Sequence, residues 1–574
     1  MGGAGGGAGL APVAGAEKFF SKQNLRPLFF CMLATLGAFS YGYDGQYWAS
    51  CIQMPRFLRD FGVQGPDGVY FYPSNEKSYS TSIVQAGEFA GALVAGPVGD
   101  FLGRRGTFHA ASLCLIIGAL LQIIVVGSVG LLTGGRAILG MGIGLLANTT
   151  PLYLSEISTV AIRGVVVGSW QLLLAIGQVI GAVVGQATSK REDTGAWRIP
   201  IAVIFALALC LITIQFIIPE SPRWLVNKGK DDKAIKALYK LNKDQQDPEA
   251  IVQIQLRSFQ EAKREEEELG KDSGWKSLFT RKEELRKLMI VCGVLSAQQI
   301  NGVQFIFSYT TNFFAVATGT SPTDTDKAFI YTIIVTVIEV VGVIFSFGVV
   351  NRFGRRPLLI WTSIPMFASL FIMAALGAIH RQRTQVENNV VVAMICIFVF
   401  FFNVAWGPLA WVVASECAVG ANRQKLMSLG SACFFLWAFI VAFTLPYLFD
   451  ADKANLGTQI GWIYGVGTIL GILFTYFCVP ETSGRTLEEI AEMINARVPT
   501  RKWTTYITSV DRDGMNGLNE DQHDATILSK NDSDSEDKKV NKNGEKTSVT
   551  DADENPSNGD HSSGMRDLDS EERQ

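Results

Sequence analysis

The chain of 574 residues is 48% hydrophobic and 18% charged, with 36 Phe and a formal net charge of −3 at pH 7. These values belong to a polytopic membrane protein rather than to a soluble enzyme, and near-neutral charge offers no footprint for nucleic acid. Four His without a pair at metal-ligand spacing, and nine Cys in or beside apolar runs, lead us to expect no cofactor, metal centre or disulfide framework.

The amino terminus, "MGGAGGGAGLAPVAGAEKFF", lacks a charged region followed by an apolar core, so it reads as a flexible leader rather than a cleaved signal peptide. Apolar segments of about 18 residues or more, enough to cross ~30 Å of hydrocarbon, then recur along the chain. They fall near 28–50, 79–99, 107–126, 131–153, 165–187, 199–218, 287–316, 328–350, 358–379, 390–414, 427–449 and 458–479. The predicted fold is therefore an all-α membrane protein with twelve transmembrane helices.

The first span holds a carboxylate, Asp44 in "YGYDGQ". A charge near the bilayer centre costs at least ~2.5 kcal/mol, so Asp44 needs a partner. The fourth span offers one, Arg136 in "GGRAILGMGIG". Glu88 in "QAGEFAG" is a second intramembrane acid, for which a structural role is expected. The run "GMGIGLL" looks like a fragment of a dinucleotide fingerprint, but it lies inside a span with no preceding strand and reads as close helix packing.

Gln171 and Gln178 in "WQLLLAIGQ" are two helical turns apart on one face of the fifth span. Gln298 and Gln299 lie mid-span in "SAQQINGVQ", where Gly302 can loosen the seventh helix, and Trp411 follows a Gly-Pro break in "WGPLAW". Amides offer both donors and acceptors without a buried charge, which suits a neutral polyol, and an aromatic face can stack on a sugar ring. On position alone these Gln residues serve equally as inter-helix hydrogen bonds.

Lys18, Lys22, Arg26, Arg104, Arg105, Arg163, Arg352, Arg355, Arg356, Arg423 and Lys425 fall on one side of the predicted topology. By the positive-inside rule that side, with both termini, is cytoplasmic. Internal repeats are the most informative pattern. "GDFLGRRG" returns as "NRFGRRP", "SEISTVAIRG" as "SECAVGANRQ" and "PESPRWL" as "PETSGRTL", with offsets of 251 (Gly103 to Gly354), 260 (Glu156 to Glu416) and 261 (Pro219 to Pro480). The chain thus divides into a cytoplasmic N-terminus (1–27), two six-helix halves (28–218 and 287–479), a cytoplasmic helical linker between them (219–286), and a cytoplasmic C-terminal segment (480–574) disordered after about 500. The Ser/Thr-rich acidic tail is a candidate substrate for kinase or ubiquitin machinery.

Together these motifs resemble the sugar porter family of the major facilitator superfamily over about 25–490, with the fungal branch as the nearest likeness. The resemblance implies alternating access around one central sugar site, and a multi-pass protein of the cell membrane that functions as a monomer. It maps substrate binding onto Gln171, Gln178, Gln298, Gln299 and Trp411. Gln304, Ser308 and Glu339 stand where the family usually has Asn, Tyr and Asn; Gln304 and Glu339 remain candidate substrate contacts. Glu339 is expected to be a substrate acceptor, a second protonatable group or a structural partner. Asp100, Glu156, Glu220, Glu416 and Glu481 lie beside Arg104, Arg105, Arg163, Arg223, Arg352, Arg355, Arg356, Arg423 and Arg485, and are read as gating salt bridges that form and break between states. Proton-coupled members of the family carry both Asp and Arg at the positions of Asp44 and Arg136, whereas passive members have a neutral residue in place of the Asp. The expected function is proton-coupled import of a neutral hexose or pentose, with a disaccharide, polyol or quinate-type carrier, a facilitator and a non-transporting sensor as alternatives.

Overall fold

A computed structural model describes residues 22–508, apart from 67, 159, 246, 271–274, 318–325, 380–383, 421, 451–452 and 486. The leader and the tail beyond 508 lie outside the described residues. The first span is built from Lys22–Ala34 and Leu36–Cys51. Ser74–Ile124 is one continuous run containing the second and third spans, divided at Gly103, whose φ of 80° and ψ of 179° turn the chain sharply. Val129–Ile157, Val160–Thr188 and Gly195–Ile217 complete the first half. The seventh span is Lys282–Ile300 followed by Val303–Ala317, with the break at Asn301 and Gly302. Asp326–Phe353, Arg355–Gly377, Gln385–Cys417, Arg423–Phe449 and Gly457–Cys478 are the eighth to twelfth.

These twelve spans match the apolar runs in the sequence but extend beyond several of them, because the helices continue through flanking polar residues as far as the breaks at Gly103 and Gly354. The two Gly breaks are superimposable in backbone angle: Gly354 has φ 81° and ψ 178°. Such angles are open to glycine almost alone. Phe402–Trp406 forms a π-helical turn within the tenth span.

Helix contacts are close where small residues meet. A Cβ on Gly140 or Gly144 would lie 2.1 Å from the Val84 carbonyl oxygen or 2.2 Å from that of Glu88. The "GMGIGLL" run is thus a packing face that draws the fourth span onto the second, bringing Arg136 toward the first. Helices Pro222–Asn227, Asp231–Asn242 and Pro248–Gly270 follow the first half and are tied to it: Arg26 pairs with Asp244 at 2.9 Å, and Lys240 donates to the Ile217 carbonyl at 2.6 Å.

Candidate functional site

Asp44 is 1% exposed in the first span, and the nearest cation is Arg136, Nη1 to Oδ1 3.7 Å. That distance is attraction without a hydrogen bond. The guanidinium is held elsewhere: Nε donates to the Ser80 carbonyl at 3.0 Å, Nη1 to the Tyr47 hydroxyl at 3.3 Å, and its carbon sits 4.1 Å from the Trp48 ring centroid. Tyr47 in turn donates to Gln122 Oε1 at 3.2 Å. Asp44 Oδ1 has no hydrogen-bond partner among the described residues. The cation is therefore held by the Ser80 carbonyl and the Tyr47 hydroxyl as well as by its attraction to the acid.

The pair lines a cavity of about 30 Å³ together with Tyr41, Thr81, Gln85, Glu88, Gln304 and Ser308. Gln304 Nε2 donates to Ser308 Oγ at 2.7 Å. With the Gln85 amide turned so that its oxygen faces Gln304, that oxygen accepts from Gln304 at 3.0 Å and its nitrogen donates to the Thr81 carbonyl at 2.9 Å. Hydrogen bonds thus run from the second span to the seventh, beside the carboxylate of the first.

Two of the amides named from sequence, Gln171 and Gln298, meet at the break in the tenth span. Gln298 Nε2 donates to the carbonyls of Trp406 (2.9 Å) and Gly407 (3.2 Å), while Gln171 Nε2 reaches Asn403 Oδ1 at 3.4 Å. The buried side-chain oxygens of Gln178, Gln298 and Gln299 have no partner among the described residues. Trp411 is half-buried, edge-on to Phe434 at 5.1 Å. Asn403, in the π-turn, and Trp406, whose indole donates to Ser363 at 2.7 Å, were missed by sequence reasoning. The signal was there in "FNVAWGP", a polar amide just ahead of a helix break. Glu339 in the eighth span is fully buried, and both its carboxyl oxygens lack a partner among the described residues, so it has no structural ion pair. It lies one turn from Gly342, where a Cβ would be 3.1 Å from that of Asn403.

The repeated arginine motifs build the same clamp twice. Arg104 pairs with Glu156 at 2.8 Å and Arg355 with Glu416 at 3.1 Å, all four buried. Glu220 accepts from the backbone N–H groups of Arg104 and Arg105, and Glu481 from those of Arg355 and Arg356. Burial pushes the Glu220 carboxyl above the usual carboxylate range, although these backbone donors pull it down. Each ion pair joins two helices of the same half, so it stiffens that half. Asp100 and Arg352 are exposed and form no ion pair among the described residues. Arg485 pairs with Glu489, and also donates to the Tyr506 carbonyl at 2.8 Å, holding a C-terminal strap of Leu487–Asn495 and Thr500–Thr505 around buried Trp503. Arg223 and Arg423 are partly buried at the same end, and the Arg163 side chain lies outside the described residues.

Besides the Gln171–Asn403 and Ser431–Asn148 hydrogen bonds, a group of contacts joins the halves at the opposite end. Lys77 pairs with Asp450 at 2.8 Å, Ser78 donates to the Phe443 carbonyl, the Tyr309 hydroxyl reaches the Lys77 carbonyl at 3.5 Å, and Gln53 bonds Asn312.

The model of the Sugar (and other) transporter family matches residues 30–494. Among curated proteins, the major facilitator-type transporter ecdD of Aspergillus rugulosus is 33% identical over 80% of this chain and 85% of its own. The low-affinity glucose transporter HXT1 of Saccharomyces cerevisiae is 28% identical over 86% of each. Among solved structures, the proton:xylose symporter XylE bound to 6-bromo-6-deoxy-D-glucose superposes with a TM-score of 0.68 at 23% identity, over 82% of this chain and 99% of that one. A partially occluded inward-open form of XylE from E. coli gives 0.64 at 24% identity. Matched over most of its length and carrying the same twelve-helix fold, the chain belongs to the sugar porters of the major facilitator superfamily, which move a substrate without transforming it.

Proposed function

We propose that the protein is a proton-coupled symporter that imports a neutral monosaccharide, hexose or pentose, by alternating access. The observation that carries this reading is one cavity lined by the Asp44–Arg136 pair and by Gln304 of the sugar-binding set. A protonation change at Asp44 is thereby felt at the helix that carries Gln298, Gln299 and Gln304.

Protonation of Asp44 removes its attraction to Arg136, while the guanidinium keeps the Ser80 carbonyl and the Tyr47 hydroxyl. The first and fourth spans then shift relative to each other, which favours sugar binding by Gln171, Gln178, Gln298, Gln299, Asn403 and Trp411. Glu339 supplies an acceptor one turn from Gly342, which packs against Asn403. Deprotonation on the other side restores the pair and resets the carrier, so uptake draws on the proton gradient and on ~2.3 kcal/mol per charge per 100 mV. The arginine-rich end faces the cytoplasm, with both termini, and the end closed by Lys77 and Asp450 faces outward at the cell membrane. The ion pairs of each half keep its arginine-rich end rigid as the two halves rock about the site, and one chain suffices.

Vesicles containing Asp44→Asn test this. The variant is expected to exchange labelled sugar at equal concentrations on both sides yet to lose sugar-driven proton entry and uphill accumulation. Concentrative uptake at wild-type rates by Asp44→Asn would refute the coupling.

A further inference from the structure

Glu88 is the second carboxyl group of the Asp44 cavity, and the cycle above gives it no task. It is 3% exposed and forms no ion pair or hydrogen bond among the described residues. Two carboxylates share one guanidinium, and Arg136 already faces Asp44. An unpaired buried charge costs several kcal/mol, so the cavity retains one proton when both acids are inside it.

Its position along the helix is equally informative. Ser80, whose carbonyl accepts from Arg136, lies eight residues before Glu88 in the second span, about 12 Å along the helix axis. Glu88 therefore lies deeper than the ion pair, on the way to the arginine-rich end. The cavity walls contributed by other elements are Tyr41 and Asp44 from the first span, Arg136 from the fourth, and the neutral Gln304 and Ser308 from the seventh. The eleventh span meets this wall with an uncharged ring, Phe435, 6.4 Å from that of Tyr41. At about 30 Å³ the space is large enough for the single water that a carboxyl-to-carboxyl transfer needs.

We propose that Glu88 is a second proton site in series with Asp44, receiving the transported proton and releasing it toward the arginine-rich end. In the transfer the O–H bond on Asp44 breaks and one forms on Glu88 through the bridging water. Asp44 becomes the carboxylate facing Arg136, and Glu88 becomes neutral. The net charge of the cavity is the same before and after, so the step separates no charge in a medium of low dielectric constant. Close packing of Gly144 on the Glu88 carbonyl fixes the height of the acid against the fourth span.

This assignment rests on the symport reading, and the experiment separates the two. Wild type, Glu88→Gln and Glu88→Asp are reconstituted in vesicles and compared in sugar exchange, sugar-driven proton entry and accumulation under a pH gradient. Glu88→Gln is expected to retain exchange while proton entry falls roughly tenfold or more, and Glu88→Asp to retain coupled entry with a shifted pH profile. A Glu88→Gln protein that carries protons and accumulates sugar as wild type does overturns the assignment and leaves the symport reading intact. If Glu88→Gln loses exchange as well, Glu88→Asp decides: a shifted pH profile supports the assignment and an unchanged one overturns it. Wild-type sugar movement without protons overturns the symport reading and this assignment together.

Discussion

At the residue scale, the proposed sugar site draws on amides whose oxygens have no partner among the described residues. Gln298 spends its nitrogen on two carbonyls at the tenth-span break and leaves its oxygen free, so one side chain both fixes the break and offers an acceptor. Replacing it with alanine is expected to raise the KM for sugar roughly tenfold, ~1.4 kcal/mol, with a smaller change in maximal rate, measured as initial uptake against sugar concentration. Gln171, Gln178, Gln298 and Gln299 were legible in the sequence because amides are conspicuous in apolar runs. Asn403 was not, since its role depends on a π-turn that rotates it toward Gln171. Among the described residues neither carboxyl oxygen of Glu339 has a partner, and the sequence could not show this, because which groups surround a buried acid is decided by packing between distant helices.

At the element scale, the glycine breaks explain why the arginine motifs repeat. Gly103 and Gly354 take a conformation that L side chains avoid, and each turns two successive N–H groups toward a glutamate: Glu220 in one half and Glu481 in the other. A Cβ at Gly103 would stand 2.6 Å from Glu220 Oε2 and at Gly354 2.7 Å from Glu481 Oε2. Gly103→Ala or Gly354→Ala is expected to cost about 1 to 3 kcal/mol of stability from backbone strain, seen as a lower melting temperature and lower membrane yield. The spans themselves were readable as apolar runs of the right length, and the break in the seventh was readable from "INGVQ". The full lengths of the second and third helices, which run on to the kink at Gly103, were not, because hydropathy registers where the lipid ends and is blind to where the hydrogen-bonded ladder stops.

At the scale of the whole molecule, the polar contacts between halves at the end away from the arginine motifs define the closed side. Lys77 and Asp450 are about nine-tenths buried, so removing one leaves the other charged and unpaired. Asp450→Asn is expected to shift the carrier toward opening at that end by about 1 to 2 kcal/mol, or roughly five- to thirtyfold. Labelling of Ser78→Cys by an impermeant thiol reagent should then accelerate; an unchanged rate would show that the pair does not hold that side shut. The duplication was evident from spaced motifs alone, whereas the partner of each arginine was not, because sequence spacing records which motifs recur and not which helices they join. That each clamp closes within its own half has a consequence for biogenesis. The first six spans and the helices that follow them contain their own ion pairs, glycine turn and glutamate acceptor, so they can reach a native arrangement while the second half is still being synthesised. The contacts that Lys77, Ser78, Gln53, Asn148 and Gln171 make across the halves must wait for the later spans to enter the membrane.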